Sequence, residues 1–302
     1  MKKKVLCFGS LNIDYTYRLD HIIRRGETES SDGLQVFSGG KGLNQSIALS
    51  RAGAEVYHAG AIGSDGLFLK TLLEDSGVHT EHIRILPDIR TGHAIIQNDR
   101  EGDNCIILYG GANQAITRGQ VDEVLSAFGE GDYLILQNEI NELAYIMEQA
   151  ARRGMVTVLN PSPMNGIIEG LPLQTVRLFL LNEVEGGQLL GRELRADFSG
   201  TDMALALARR FPQAGIVLTL GAEGSIYTDG SQTIRQQACR VKAVDTTAAG
   251  DTFTGYLIAG LLEALPMEAA LIRATRASAI AVQRRGAAPS IPTAAELAQW
   301  AF

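Results

Sequence analysis

Val244-Asp245-Thr246-Thr247-Ala248-Ala249-Gly250-Asp251-Thr252-Phe253-Thr254-Gly255 reads as an extended run that enters a tight turn of small residues and then opens a helix. Small side chains at Ala248, Ala249 and Gly250 leave backbone N–H groups bare at a helix N-terminus. There they have no intrahelical partner, and the helix dipole adds positive potential. Such a turn is an anion site suited to a transferring phosphate. Asp251 falls in the first turn beside it. Two readings of that carboxylate are open on local features: it caps the helix, or it accepts the proton of an attacking hydroxyl.

Outward from this stretch the chain alternates between short aliphatic runs and amphipathic patterns. The strand candidates are Val5–Gly9, Val56–Gly60, Tyr133–Gln137, Val156–Asn160, Leu178–Asn182 and Ile216–Leu220. The helical patterns are Gly42–Arg51, Leu67–Asp75, Arg118–Phe128, Glu142–Arg152, Thr201–Arg210, Gly250–Ala264, Pro266–Arg284 and Thr293–Trp300. This alternation predicts an α/β fold, a largely parallel central sheet with helices on both faces, whose ligands sit beyond the carboxyl ends of the strands. Four segments alternate instead like antiparallel strands: 14–19, 34–38, 91–98 and 104–109. The last two flank Asp99-Arg100-Glu101-Gly102-Asp103 as a hairpin. Together they predict a small β-sheet lid over the site. Residues 1–302 are otherwise expected to form a single domain.

The 302 residues include 27 Lys plus Arg and 34 Asp plus Glu, a formal charge of −7. An acidic chain is poorly suited to nucleic acid or to an anionic membrane, so any phosphate must be met by a local device. Cys7, Cys105 and Cys239 are odd in number and far apart, which argues against a disulfide framework and for a reducing compartment. Met1-Lys2-Lys3-Lys4 resembles the start of a signal peptide, but the apolar run stops at Ser10, Asn12 and Asp14. No stretch approaches membrane-spanning length. The expected location is the cytoplasm.

Further polar groups collect at strand ends. Ser38-Gly39-Gly40-Lys41-Gly42-Leu43-Asn44-Gln45-Ser46 surrounds a lysine with glycines at a helix start, allowing close approach of a ligand to the backbone. It is neither a Walker A loop nor a dinucleotide fingerprint; a plain tight turn is the alternative. Asn12 and Asp14, two apart, share a face if the first strand continues, and suit sugar hydroxyls; an exposed loop carboxylate is the plainer reading. Gln137-Asn138-Glu139, Asn182-Glu183-Val184-Glu185 and Thr219-Leu220-Gly221-Ala222-Glu223-Gly224 fit one shared cleft, though each alone could be a cap or turn.

The chain resembles the ribokinase-like sugar kinases along essentially its whole length. Gly39-Gly40-Lys41-Gly42-Leu43-Asn44-Gln45-Ser46, with Gly53 and Gly63, is similar to the family's N-terminal signature, and Asp245–Phe253 to its C-terminal one. The resemblance implies a three-layer sandwich with a β-lid, and ATP-dependent phosphorylation of a small sugar, ribose first. It implies Asp251 as catalytic base and the Ala248-Ala249-Gly250 backbone as anion hole. Asn12, Asp14, Gly40, Lys41, Asn44, Glu139 and Asp251 itself then hold the sugar. Asn182, Thr219, Gly221, Glu223, Gly224, Gly250 and Thr275 meet ATP, as does Glu185, which also handles Mg²⁺ indirectly. Asp245, Thr247, Ala281, Arg284, Gly286 and Ser290 match a K⁺ site, most of them through backbone carbonyls. Pairing of two lids into a homodimer is implied as well, and would cover apolar Ala94-Ile95-Ile96 and Ile106-Ile107-Leu108.

The chain departs from the family pattern at Thr275, where ribokinase-like kinases place a histidine near the adenine, at Tyr256 after Gly255, and at His93 on the lid. His93 reads either as solvent-facing or as a modifier of sugar preference. His79 and His82 read as surface residues of a connection. The competing acceptors are fructose, a 2-keto-3-deoxy sugar acid and a nucleoside. A sugar acid requires a cation, for which Arg18 and Arg100 are candidates. From another class, the chain could be a sugar sensor that has no need of Asp251. A Rossmann-type oxidoreductase is disfavoured because the first strand leads to Ser10-Leu11-Asn12 rather than to glycines.

Overall fold

The computed structural model describes residues 3–101, 103–191 and 198–300. Met1 and Lys2 of the basic start, Gly102 of the lid turn, and residues 192–197, 301 and 302 of the expected domain lie outside the described residues. In chain order the strands are β1 (Val5–Phe8), β2 (Asn12–Arg18), β3 (Gly33–Gly39), β4 (Val56–Ile62), β5 (His79–Ile85), β6 (Gly92–Asn98), β7 (Asn104–Tyr109), β8 (Tyr133–Gln137), β9 (Val156–Asn160), β10 (Leu178–Asn182), β11 (Gly215–Thr219), β12 (Ser225–Thr228) and β13 (Thr233–Gln236). The helices are α1 (Lys41–Arg51), α2 (Leu67–Asp75), α3 (Arg118–Leu125), α4 (Leu143–Arg152), α5 (Glu183–Leu189), α6 (Gly200–Arg210), α7 (Ala249–Leu262), α8 (Met267–Ala281) and α9 (Ala294–Gln299).

A nine-stranded sheet runs β13-β12-β11-β10-β9-β8-β1-β4-β5. The strands from β11 to β5 are parallel, and the β12–β13 hairpin closes one end antiparallel. Side chains alternate across the parallel strands. Leu6, Phe8, Leu134 and Leu136 pack with Val121, Ile146, Leu189 and Met203 of α3 to α6. Val5, Cys7 and Ile135 pack with Ile47, Leu69, Leu257 and Leu271 of α1, α2, α7 and α8. The result is the expected three-layer sandwich.

Strand order turns back at β1, whose neighbours are β8 and β4. At such a switch point the connections leave in opposite directions and open a crevice. Two glycines narrow its floor. A Cβ on Gly42 would lie 2.5 Å from the Ser10 nitrogen, so α1 begins in contact with the end of β1. A Cβ on Gly255 would lie 2.4 Å from the Ala48 Cβ, so α7 runs against α1 without side chains between them.

The lid is a separate four-stranded sheet, β3-β2-β6-β7, with β2 and β6 parallel and the other pairs antiparallel. It leaves much apolar surface open, including Leu34, Val36, Ile107 and Leu108. Three expectations change. Residues 244–247 are not extended in a sheet; the Val244 and Asp245 N–H groups both donate to the Val282 carbonyl. His79 and His82 lie in edge strand β5, where His79 stacks on Tyr57 at 4.4 Å. The fourth helix begins one residue late because Glu142, its N-cap, takes φ 57°.

Candidate active site

The turn before α7 differs from the expected row of three bare amides. Ala248 takes φ 58°, a left-handed conformation that curls the chain so that the Ala249 N–H donates to the Thr246 carbonyl at 3.2 Å. The N–H groups of Ala248, Gly250 and Asp251 meet no acceptor among the described residues. They remain available for an anion at the head of a 14-residue helix.

Asp251 is buried in the first turn of α7. Its Oδ2 accepts from Asn44 Nδ2 at 3.1 Å and its Oδ1 from Gln45 Nε2 at 2.9 Å. The alternative of a helix cap is thereby set aside: Ala248 is the N-cap residue, and the carboxylate reaches across to α1. The Gly255–Ala48 contact makes that reach possible.

Lys41 opens α1, and its N–H donates to Glu139 Oε2 at 2.9 Å. Ser10 Oγ donates to the same carboxylate oxygen. Gly40 takes φ 94° and lies against the Ser10 carbonyl and Asn12 nitrogen, so only glycine fits there. Burial lowers the Lys41 ammonium, but Asp251, Glu139 and Glu185 outweigh it and the net shift is upward. Burial pushes the Glu139 carboxyl up against the opposing pull of Lys41. Burial also pushes Asp14 up to about 6, reinforced by the Glu139 carboxylate. Asn12 is fixed by Asn113, whose Nδ2 donates to Asn12 Oδ1 at 2.7 Å while its own Oδ1 accepts the Leu11 N–H. The free end of the Asn12 amide is therefore its NH₂.

Two cavities meet at the turn. One, of about 250 Å³, is walled by Lys41, Asn160, Asn182, Glu185 and residues 248–251. The other, of about 560 Å³ and more apolar, is walled by Cys239, Val241, Phe253, Thr275 and the 219–224 turn. Thr246, Ala249 and Gly250 belong to both. An apolar slot of this size suits a flat base, and a polar one beside a helix N-terminus suits phosphates. Gly221 and Gly224 take φ 55° and 101°; a Cβ at Gly224 would sit 2.0 Å from the Gln236 carbonyl oxygen.

The remaining expected residues divide. Asn12, Asp14, Gly40, Asn44 and Glu139 line neither cavity; Asn44 bonds Asp251, Glu139 accepts from the Lys41 N–H, Gly40 precedes Lys41 and lies against Asn12, and Asp14 feels the Glu139 charge. Asn182 and Glu185 form a capping box: the Asn182 N–H and Nδ2 both donate to the Glu185 carboxylate, and the Glu185 N–H donates to Asn182 Oδ1. Glu223 is not brought in; its exposed carboxylate faces Arg235 at 3.5 Å. The Asp245 carboxylate accepts from Thr247 N–H and Oγ1 and from Gly286 N–H. Ala281 and Arg284 are joined by a backbone bond, while Ser290 Oγ donates to the Ala287 carbonyl. His93 lies on the opposite face of the lid from Asp14, between Tyr15 and Tyr109. Tyr256 is fully buried, with its hydroxyl donating to the Pro292 carbonyl.

Residues given no role of their own from the sequence also take part: Gln45, Asn113, Gln137, Ser10 and Phe253. Gln45 and Gln137 carried a signal, since each is a glutamine on the apolar side of an element and so requires a buried partner.

A model of the pfkB family carbohydrate kinases matches residues 2–294. A ribokinase of Haemophilus influenzae is 34% identical over 304 residues, covering 98% of this chain and 97% of the relative. Among solved structures, the ribokinase of Cryptococcus neoformans var. grubii in complex with ADP aligns with TM-score 0.88 at 34% identity, over 98% of this chain and 99% of the other. The Arabidopsis thaliana ribokinase complexed with ribose and ATP aligns with TM-score 0.87 at 28% identity, over the full length of both chains.

Proposed function

This chain belongs to the pfkB family of carbohydrate kinases, and on that premise we propose that it transfers the γ-phosphate of ATP to a hydroxyl of ribose, with Asp251 as the base. The observation that carries this reading is the turn shared by the two cavities, which has open amides on one side and a buried carboxylate in the next residue. ATP lies with its base in the apolar cavity and its phosphates along the turn. Phosphoryl transfer needs alignment and charge stabilisation more than covalent help. The acceptor hydroxyl gives its proton to Asp251, and the Ala248 and Gly250 N–H groups and Lys41 take up charge on the moving phosphoryl group. Thr219, Gly221, Gly224 and Thr275 line the nucleotide side.

The acceptor is a neutral polyol on charge grounds. Asp251, Glu139 and Glu185 act on the Lys41 ammonium, and Lys41 is already matched by them. Arg100 pairs with Asp20 at 2.9 Å and Arg18 is exposed, so neither offers a cation to a sugar carboxylate. Asn12, Asp14, Gly40, Asn44 and Glu139 supply the donors and acceptors that ribose hydroxyls require.

Mg²⁺ arrives with ATP. Both oxygens of Glu185 already accept from Asn182, so Glu185 meets the ion through water. For K⁺, the donor set fits a hard monovalent cation: the Asp245 carboxylate with carbonyls around Thr247, Ala281, Arg284, Gly286 and Ser290. The ion would supply fixed positive charge behind the turn. No helix among the described residues is long and apolar enough to cross a membrane. The exposed lid residues Leu34, Val36, Ile107 and Tyr109 support a homodimer formed through the lids.

An ATP-consumption assay against pentoses, hexoses, sugar acids and nucleosides, with and without K⁺, tests the reading. Ribose is expected to give the highest kcat/KM. A sugar acid or nucleoside preferred over ribose would overturn the acceptor, and no turnover with any acceptor would favour a sugar sensor.

A further inference from the structure

Behind Asp251, on the side away from both cavities, lie two glutamines with no exposed surface, Gln45 on α1 and Gln137 on β8. We propose that Gln45 and Gln137 form a positioning relay that holds the Asp251 carboxylate in the orientation that proton abstraction requires. The proposal rests on the reading of Asp251 as the base. Gln45 Nε2 donates to Asp251 Oδ1 at 2.9 Å, and Gln45 Oε1 accepts from Gln137 Nε2 at 2.7 Å. The second bond decides which way round the Gln45 amide lies. Reversed, its oxygen would face a carboxylate oxygen and its NH₂ would face the Gln137 NH₂, so both contacts would become repulsive. Gln137 is in turn seated against β1, with Nε2 3.7 Å from Cys7 Sγ. Its Oε1 occupies the space that a side chain on Gly9 would need.

The two donors to Asp251 are not equivalent. Asn44 stands among the residues that adjoin the acceptor, and its Oδ1 is buried without a partner, so a bound sugar can redirect it. Gln45 has no exposed surface and lines neither cavity. Burying two primary amides is costly where an apolar side chain would fill the same space. Gln137 Oε1 is left unsatisfied even so. A purely structural filler would not need a donor aimed at the carboxylate.

The test uses Gln45→Met, Gln137→Met and the double variant, which keep side-chain length and remove the amides, with Asp251→Asn as reference and ribose and ATP as substrates. Gln45→Met is expected to lower kcat about 10–100-fold, because the carboxylate loses the donor that orients it. KM for ribose and for ATP is expected to stay within about twofold. Gln137→Met lowers kcat by a smaller factor with the same unchanged KM, and the double variant is no worse than Gln45→Met, as members of one chain require. A wild-type kcat for Gln45→Met, or a double variant equal to the product of the singles, overturns the relay. If Gln45→Met shows no cooperative unfolding transition, Gln137→Met decides, and a wild-type kcat there overturns it. An inactive Asp251→Asn beside a wild-type Gln45→Met rejects the relay alone. An active Asp251→Asn removes the base and the relay with it.

Discussion

Asp251 belongs to the body of the molecule and Asp14 to the lid, and Glu139 lies between them, coupled electrostatically to both. Asp251 is held by two amide donors from a helix packed directly against its own. Asp14 meets no hydrogen-bond donor among the described residues, and burial with Glu139 pushes it up to about 6. The body thus presents a carboxylate whose bonds are already made, and the lid one that waits for a ligand. Under the proposed roles, the difference separates chemistry, which needs fixed geometry, from recognition, which can form when the lid meets sugar.

The largest effect expected from breaking the body's side is that of Asp251→Asn. It should lower kcat roughly 10²–10⁴-fold, as removal of a general base does, with a modest fall in melting temperature because its new NH₂ faces one of the two buried amide donors; steady-state kinetics and calorimetry check it. Next is Gly255→Ala, which leaves every site residue intact but places a Cβ 2.4 Å from that of Ala48. Forcing α7 off α1 should cost about 1–3 kcal/mol, a fall of about 2–8 °C in melting temperature. Turnover should fall with it, because the Asn44 and Gln45 bonds to Asp251 lengthen.

On the lid's side, Asp14→Asn should raise KM for ribose about tenfold while leaving kcat within about threefold, since a recognition contact is lost and the base remains. Its pH dependence sharpens the point. In the wild type, Asp14 becomes ionised as pH rises through about 6, and the ionised form accepts hydroxyl protons better, so KM should fall from pH 5 to pH 7. In Asp14→Asn that dependence should flatten. The smallest effect is expected at Glu223→Gln, outside both cavities and paired only with exposed Arg235; kcat and KM for ATP should stay within about twofold.

Body and lid were also unequally legible in the sequence. Strands β8, β9 and β10 match their expected bounds, because buried parallel strands are short apolar runs closed by polar residues. The head of α7 could be found from its small residues, although the Ala249 amide turned out to be spent within the turn. Strand β5 was missed for a physical reason. Its register against β4 shifts between Tyr57 and Ala59, so the buried positions pass from Thr80 to Ile83 and the two-residue period breaks. The β12–β13 hairpin has four-residue strands, too short to show a period. Of the residues named for the site, Asn44 bonds Asp251, and Lys41, Asn182, Glu185, Thr219, Gly221, Gly224 and Thr275 line the cavities at the turn, whereas Glu223 lines neither. The second layer, Gln45, Gln137 and Asn113, could not be assigned because its roles depend on which buried amides face each other across 92 to 102 residues of chain.

Titration of ribose into Asp251→Asn and Asp14→Asn, by calorimetry without nucleotide turnover, tests the division between body and lid most directly. The account predicts that Asp251→Asn binds ribose within about threefold of the wild type while Asp14→Asn binds it about tenfold more weakly. Loss of ribose binding in Asp251→Asn, or wild-type binding in Asp14→Asn, would contradict it.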